Sequence, residues 1–148
     1  MPEISARGLQ MPSSPIRKLT PLANEAKARG VKVYHLNLGQ PDLPTPQVAL
    51  DSLKNVDRSV LEYSPSPGFL SLREKLAKYY SKFNISLSPD EIIVTSGGSE
   101  AVLFAFLACL NPGDEIIIPD PAYANYMAFA ISAGAVIKSV TSTIETGF

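Results

Sequence analysis

The feature that most constrains this chain is the order of its residues between Glu91 and Leu110. The apolar, mostly β-branched run from Ile92 to Thr95 is typical of a strand buried on both faces. Ser96-Gly97-Gly98-Ser99 follows, and then a helix-length apolar segment from Ala101 to Leu110. Strand, glycine turn and helix in this order can bind an anion, because glycine lets a ligand approach the backbone and the first helical turn presents free N–H groups.

A phosphate-bearing small molecule is the ligand that such a turn predicts. The same local pattern also occurs as an ordinary strand-to-helix connection in α/β domains, and this alternative stays open on the pattern alone. A nucleotide-binding domain is disfavoured, because the turn lacks the Lys-Ser/Thr pair of a P-loop and the chain contains no G-x-G-x-x-G.

Length and composition exclude several classes of protein. The 148 residues suit one domain, and the formal net charge of −1, without a basic patch, predicts no nucleic-acid partner. No apolar stretch approaches the ~18 residues of a membrane span, and the N-terminus lacks the apolar core of a signal peptide. We therefore expect no membrane association and a cytoplasmic location. The lone Cys109 is expected to pack in the core, the lone His35 to lie in a strand or loop, and no metal site is predicted.

Helices alternate with short strands along the rest of the chain. From Asp90 onward the order β-α-β-α-β predicts a thin parallel sheet with right-handed crossovers, like the first half of a larger domain. The N-terminal arm, Met1 to Lys18, is expected to need a partner surface to be ordered. Helices are predicted after Thr20-Pro21, after Thr45-Pro46, from Phe69 to Phe83, from Ala101 to Leu110 and from Ala122 to Ala133, and strands at Val31–Leu38, Ile92–Thr95, Glu115–Ile118 and Ala135–Val140.

Five short motifs carry a family resemblance. They are Asn37-Leu38-Gly39-Gln40-Pro41-Asp42, Tyr63 to Gly68 with Leu72-Arg73-Glu74, Thr95 to Ala101, Asn111-Pro112-Gly113-Asp114, and Pro119-Asp120-Pro121-Ala122-Tyr123. In this order they resemble the N-terminal part of class I pyridoxal-phosphate-dependent aminotransferases, the aspartate aminotransferase-like group, over roughly Leu19 to Val140.

The resemblance implies an α/β fold: a partial parallel sheet with helices on both faces, the first half of the large domain of a fold-type-I PLP-dependent transferase. It implies that residues 1–46 form an arm and a segment of the small domain. Residues 47–148 would form the N-terminal half of the PLP-binding large domain.

The resemblance also implies cofactor-binding residues. Gly98, Ser99 and Glu100 would hold the phosphate of pyridoxal 5′-phosphate (PLP) through backbone N–H groups and the Ser99 hydroxyl. The Glu100 side chain would point away from the phosphate, or would only improve the helix start. Tyr123 would stack on the pyridine ring; core packing is the alternative that its sequence position leaves open.

Two further residues take roles from the resemblance. Tyr63 would reach the cofactor phosphate of the neighbouring subunit, which implies a homodimer, whereas simple loop packing is the alternative. Gly39 would lie near the substrate carboxylate, and its alternative is a turn residue with positive φ.

The implied activity is transfer of an amino group from an amino acid to a 2-oxo acid, with aspartate and 2-oxoglutarate as a candidate pair. No catalytic residue is predicted in this chain, because none of its lysines stands in the context of the family's Schiff-base lysine. Two hypotheses follow. The chain is either the N-terminal fragment of an aminotransferase, inactive alone, or a self-standing, non-catalytic module for phosphate-ligand binding or interaction.

Overall fold

A computed structural model describes residues 3–147, and these form helices around a small parallel sheet. Single 3₁₀ turns lie at Arg17–Leu19, Pro89–Glu91 and Ile144–Thr146. The helices and strands are α1 (Ala6–Gln10), α2 (Thr20–Ala28), α3 (Gln47–Lys54), α4 (Leu70–Ser81), α5 (Gly98–Cys109), β1 (Glu115–Asp120), α6 (Asn125–Ala133) and β2 (Val136–Thr141).

The described residues form two compact units. The first, here called the sheet unit, contains the chain up to Leu38 and from Ser96 onward, and the second, the helical unit, is Gly39–Thr95. The predicted division after residue 46 concerns the intact fold and stays a prediction.

In the sheet unit, β1 and β2 pair in parallel as predicted, with Glu115 opposite Val136 and Asp120 opposite Thr141. Helix α6 connects the two strands and contacts both of them, and it also packs against α5. It ends at Gly134, whose φ of 79° is the left-handed conformation that commonly closes a helix. The order α5-β1-α6-β2 is therefore confirmed.

Part of the arm also belongs to the sheet unit. Helix α1 begins after Ser5, whose side chain accepts a hydrogen bond from the Gly8 N–H, and it contacts α6. The described part of the arm thus finds its packing surface on α6. The first two residues of the predicted arm lie outside the described residues.

Two predicted strands are wrong within the described residues. Val31–Leu38 and Ile92–Thr95 form no ladder, and Ile93 is 70% exposed although a strand buried on both faces was predicted. The physical reason in the second run is its backbone hydrogen bonding: the Val94 N–H donates to the Pro67 carbonyl in a loop, 3.0 Å away, and not to a neighbouring strand.

The hydrophobic core of the described residues is small. The buried apolar side chains are Ile92, Ile118, Ala130 and Ala133, whereas the apolar stripe of α4 stays largely exposed. Cys109 is exposed too, so its predicted core position is wrong: it is the last residue of α5, where no described element covers it.

The solvent-accessible area gives the same result in numbers. It is 12416 Å², whereas a self-contained monomer of 15.9 kDa is expected to expose about 7,400 Å². The difference of roughly 5,000 Å² exceeds what one partner contributes to most large obligate interfaces, whose total of about 2,000–5,000 Å² is shared between two chains. The chain as described therefore exposes surface that an independent domain of this size would have covered.

Candidate functional site: the glycine turn before α5

The candidate site begins where α5 begins. Gly97 is the residue before the helix and Gly98 is its first residue, so the helix begins three residues earlier than the predicted start at Ala101. The N–H of Ala101 donates to the Gly97 carbonyl, which closes the first helical turn. Within the described residues, the N–H groups of Gly98 and Ser99 meet no protein acceptor. They are donors aimed out of the positive end of the helix, where an anion is stabilised.

Glu100 contributes differently from its two neighbours. Its carboxylate oxygen Oε2 accepts a hydrogen bond from the Ser96 N–H at 2.7 Å, so the side chain folds back over the residue that precedes the turn. This contact orders the helix start, which is the structural role that the sequence left open for the side chain. The Glu100 backbone N–H remains in the first helical turn beside those of Gly98 and Ser99.

The glycines of this turn are not required by the protein's own conformation or packing. Gly97 has an extended backbone, with φ 165° and ψ 175°, and Gly98 is helical. A Cβ built on either residue would meet no atom within 4 Å. By contrast, Gly68, Gly113 and Gly134 all have positive φ. Open space next to Gly98 is what close approach of a ligand to the backbone requires.

Tyr123 lies in the same unit, just before α6. Its hydroxyl oxygen accepts a hydrogen bond from Asn125 Nδ2 at 2.8 Å, and its ring meets the Tyr126 ring edge-on at 5.5 Å. The Tyr123 side chain is about half exposed, so core packing does not account for it. The ring thus contacts Tyr126, while about half of the side chain stays open to a partner.

A cleft of about 290 Å³ joins α5, β1 and α6. Val102 and Phe106 line it from α5, and Tyr126 lines it from α6. Val102 follows the glycine turn by one helical turn, and Tyr126 carries the contact to Tyr123. The other lining residues are Ile116, Ile117, Ile118 and Pro119 of β1. Residues of β1 and of the middle of α5 therefore line the same cleft.

Gly39 and Tyr63 belong to the helical unit. Gly39 has no positive φ, and a Cβ there would meet no atom within 4 Å. A strained turn therefore does not explain this glycine. The Tyr63 side chain is fully exposed, so loop packing does not explain that residue. The roles that the resemblance implies for Gly39 and Tyr63 stay predictions.

No metal centre or membrane span competes with this site in the part of the chain that the structure describes. Residues 3–147 contain no group of three His, Cys, Asp or Glu side chains able to hold a metal ion. Among the same residues, every helix is too short or too polar to cross a bilayer.

Comparison with known proteins identifies the family. The profile of "Aminotransferase class I and II" matches residues 31–148, which include the glycine turn, β1, α6 and β2. The chain belongs to this aminotransferase family. Aminotransferases of this class are generally PLP-dependent, and the fold class predicted from the sequence is confirmed.

Individual relatives show what share of their own length this chain covers. The (5-formylfuran-3-yl)methyl phosphate transaminase of Methanocaldococcus jannaschii is 34% identical over 97% of this chain and 39% of its own length. The structure of Thermus thermophilus aspartate aminotransferase, a single mutant, superposes with a TM-score of 0.90 at 34% identity, over 100% of this chain and 39% of that one.

Aspartate aminotransferase from Thermotoga maritima gives a similar result. Its crystal structure superposes with a TM-score of 0.88 at 31% identity, again over 97% of this chain and 39% of that one. The chain thus spans about two fifths of the length of these relatives.

The sequence missed one residue that organises the helical unit, Arg73. This side chain is buried and donates to two backbone carbonyls. A signal was present: Arg73 stands four residues after Phe69 and three before Leu76, so a charged residue occupies the apolar face of the predicted helix.

Proposed function

We propose that this chain is the N-terminal portion of a PLP-dependent aminotransferase and that it supplies part of the cofactor site. The observation that carries the proposal is the glycine turn. Gly98 and Ser99 present N–H groups that meet no protein acceptor among the described residues, and a Cβ at Gly97 or Gly98 would meet no atom within 4 Å. A dianionic phosphate is the ligand that these donors and this open space suit.

The residues fit the cofactor as follows. Gly98, Ser99 and Glu100 would bind the phosphate through their backbone N–H groups, and the Ser99 hydroxyl would add a donor. The Glu100 carboxylate, held at the Ser96 N–H, keeps its negative charge on the loop side of the turn. Tyr123 would stack on the flat pyridine ring, since its own ring is supported edge-on by Tyr126 and otherwise open.

Two residues complete the proposal from the helical unit. Gly39 would let the substrate carboxylate approach the backbone, and Tyr63 would donate its hydroxyl to the cofactor phosphate of a second subunit. This arrangement makes the intact protein a homodimer, located in the cytoplasm. Its substrates would be an amino acid and a 2-oxo acid, with aspartate and 2-oxoglutarate as the candidate pair.

When bound, the cofactor supplies the carbonyl chemistry that carries an amino group between the two substrates. The residues of this chain bind and orient it, and the lysine that anchors the cofactor in the intact enzyme is not among them. We therefore expect this chain to be inactive by itself. The opposite hypothesis, a self-standing binding module, is disfavoured because the chain exposes roughly 5,000 Å² more surface than an independent domain of its mass.

Two assays test the proposal. Equilibrium dialysis against pyridoxamine phosphate should show saturable binding, while pyridoxamine without the phosphate should not bind. Neither ligand has an aldehyde to condense with surface lysines. Incubation with aspartate, 2-oxoglutarate and PLP should give no amino transfer above the rate of PLP alone, with Thermotoga maritima aspartate aminotransferase as the positive control. Equal binding of both ligands, or sustained turnover, would contradict the proposal.

A further inference from the structure

Arg73 is the buried charged side chain of the described residues, with 8% of its surface exposed. It lies in the first turn of α4, and its Nε donates to the Gly68 carbonyl at 3.2 Å. Its Nη1 donates to the Pro89 carbonyl at 2.6 Å and to Asp90 Oδ1 at 3.3 Å. An arginine stays charged in proteins, so burial is tolerated only because these acceptors replace water.

The three partners of Arg73 do not contribute equally. The Asp90 side chain is 95% exposed, so its attraction to the guanidinium is screened by solvent and salt. The two carbonyls belong to backbone turns that are far apart in sequence, one before α4 and one after it. Arg73 is therefore mainly a tie between two turns and only secondarily one half of an ion pair.

A second set of contacts holds the same two segments together. The Val94 N–H donates to the Pro67 carbonyl at 3.0 Å. Gly68 has a φ of 92°, and a Cβ there would lie only 2.7 Å from Val94 Cβ. The Pro67-Gly68 turn is thus pressed against the backbone of Val94, while Arg73 fixes it to Pro89.

Along the chain, these contacts lie close to Tyr63 and to the glycine turn. The turn lies a few residues after Tyr63, whose exposed ring has no packing that would fix its loop. Val94 lies two residues before Ser96, at which the glycine turn begins. Whatever holds the Pro67-Gly68 turn against Val94 therefore constrains both the Tyr63 loop and the segment that enters the phosphate-binding turn.

We propose that Arg73 is a positioning residue for the cofactor site. By binding the Gly68 and Pro89 carbonyls, it holds the Pro67-Gly68 turn on Val94 and so fixes the approach of the chain to Ser96. This inference rests on the proposed function, because the fixed segment matters for binding only if the glycine turn takes the cofactor phosphate.

The experiment compares Arg73→Gln with Asp90→Asn in the full chain. Two quantities are measured: amide hydrogen exchange by NMR, and the dissociation constant for pyridoxamine phosphate. In Arg73→Gln, the Val94 and Gly68 amides should exchange roughly tenfold faster, since about one charge-assisted hydrogen bond's worth of local stability is lost. The β1 and β2 amides should be unchanged, and the dissociation constant should rise about fivefold, a modest penalty for a loosened site. Asp90→Asn should change neither quantity by more than about twofold.

Each other outcome overturns a defined part of the inference. Unchanged exchange at Val94 and Gly68 in Arg73→Gln would show that the tie does not exist. Faster exchange with an unchanged dissociation constant would leave Arg73 a purely structural residue. If Asp90→Asn changed amide exchange and the dissociation constant as much as Arg73→Gln, the important contact would be the ion pair and not the hydrogen bonds to the carbonyls.

Two safeguards keep the result interpretable. If the β1 amides also exchange faster in Arg73→Gln, Arg73→Lys replaces it as the test variant. Lysine keeps the positive charge but lacks the forked guanidinium that reaches both carbonyls. The same changes in exchange and affinity are then expected, at smaller amplitude. If the wild-type chain does not bind pyridoxamine phosphate, the proposed function fails and the positioning role fails with it. The exchange data would still show whether Arg73 ties the two turns.

Discussion

Two apolar runs in this chain look alike in sequence and differ in structure. Ile116-Ile117-Ile118 lies in β1, whose flanking carbonyls at Asp114 and Asp120 accept N–H groups from Val136 and Ser142 at 2.8 and 2.7 Å. Ile92 to Thr95 forms no ladder within residues 3–147, and the Val94 N–H donates to the Pro67 carbonyl in a loop instead. The side-chain pattern thus indicates that a segment can be a strand, whereas the ladder depends on a neighbour that the local pattern does not encode.

The largest expected effect separates the two runs by burial. Ile118 is 4% exposed and Ile93 is 70% exposed. We expect Ile118→Ala to lower the free energy of unfolding of the sheet unit by about 3 kcal/mol, since it removes buried methyl groups and leaves a cavity. Ile93→Ala should cost less than about 0.5 kcal/mol in this chain. Urea denaturation followed by far-ultraviolet circular dichroism measures both.

The comparison would be broken if Ile93→Ala cost as much as Ile118→Ala, because Ile93 would then be buried in solution. In a longer polypeptide in which another strand pairs with the Ile92–Thr95 run, Ile93→Ala should lower the free energy of unfolding much more. The two measurements together would report whether additional chain supplies a strand that covers Ile93.

A comparable effect is expected where the Ile92–Thr95 run contacts Gly68. Gly68→Ala combines a left-handed backbone with a Cβ 2.7 Å from Val94, so it should destabilise the helical unit by about 2–4 kcal/mol of local opening free energy. Gly113→Ala is the matched control, since Gly113 has a φ of 94° but nothing within 4 Å. It should cost about 1–2 kcal/mol, the backbone term alone.

Hydrogen exchange of the Val94 amide and of the amides around each substituted glycine provides the measurement. Equal costs at the two glycines would mean that the Pro67-Gly68 turn is not pressed against Val94. In that case the contact between Gly68 and Val94 could not be what holds the Ile92–Thr95 run in place.

A third effect concerns binding rather than stability, at the point where the Ile92–Thr95 run leads into α5. Gly98→Ala should leave stability within about 0.5 kcal/mol, because a helical alanine is favourable and its Cβ meets no atom. The same methyl group would stand where the phosphate approaches, so affinity for pyridoxamine phosphate should fall about tenfold or more. Isothermal titration and thermal melting separate the two quantities, and unchanged affinity would argue against close approach at Gly98.

The smallest effect is a pH dependence of stability at Glu91, just before the Ile92–Thr95 run. The Ser88 N–H and hydroxyl both donate to the Glu91 carboxylate, at 2.8 and 2.9 Å, and these hydrogen bonds lower the pKa of Glu91 below its usual 4.5. Because the folded-state pKa is the lower one, the contact stabilises the protein above the ordinary pKa and is lost as pH falls through the folded value.

Glu91→Gln should therefore melt slightly below wild type at neutral pH, and the difference should shrink on acidification to about pH 3. Melting temperature against pH is the measurement, and Glu145 is left unchanged in both proteins because its pKa is lowered as well, by the Thr143 hydroxyl. A constant difference between the two proteins at all pH values would show that Glu91 acts through something other than its charge.

Local sequence information accounts for the elements that are stabilised locally. The helices α4, α5 and α6 and the parallel pairing of β1 with β2 could be predicted, because helical spacing, Gly134 and the short β-α-β connection act within a few residues. The glycine turn at the helix start could be predicted for the same reason, and its role as an anion site stays a prediction. What could not be predicted depends on distant contacts: the exposure of Cys109 and of Ile93 each depends on whether another element covers the side chain.

The candidate site shows the same division. Its N–H donors follow from the helix start, but the free space around Gly98 depends on what the rest of the chain leaves open. Arg73 is the clearest case, since two of its acceptors are carbonyls of Gly68 and Pro89 on turns that no helical pattern brings together.

The most direct test of the cofactor site maps ligand-induced chemical shifts onto the backbone. Uniformly ¹⁵N-labelled chain is titrated with pyridoxamine phosphate and, separately, with pyridoxamine. We predict saturable shifts of the Gly98, Ser99 and Glu100 amides with the phosphate ester, and none at these positions with pyridoxamine. Shifts that spare these three amides, or that are the same for both ligands, would contradict a phosphate site at the start of α5.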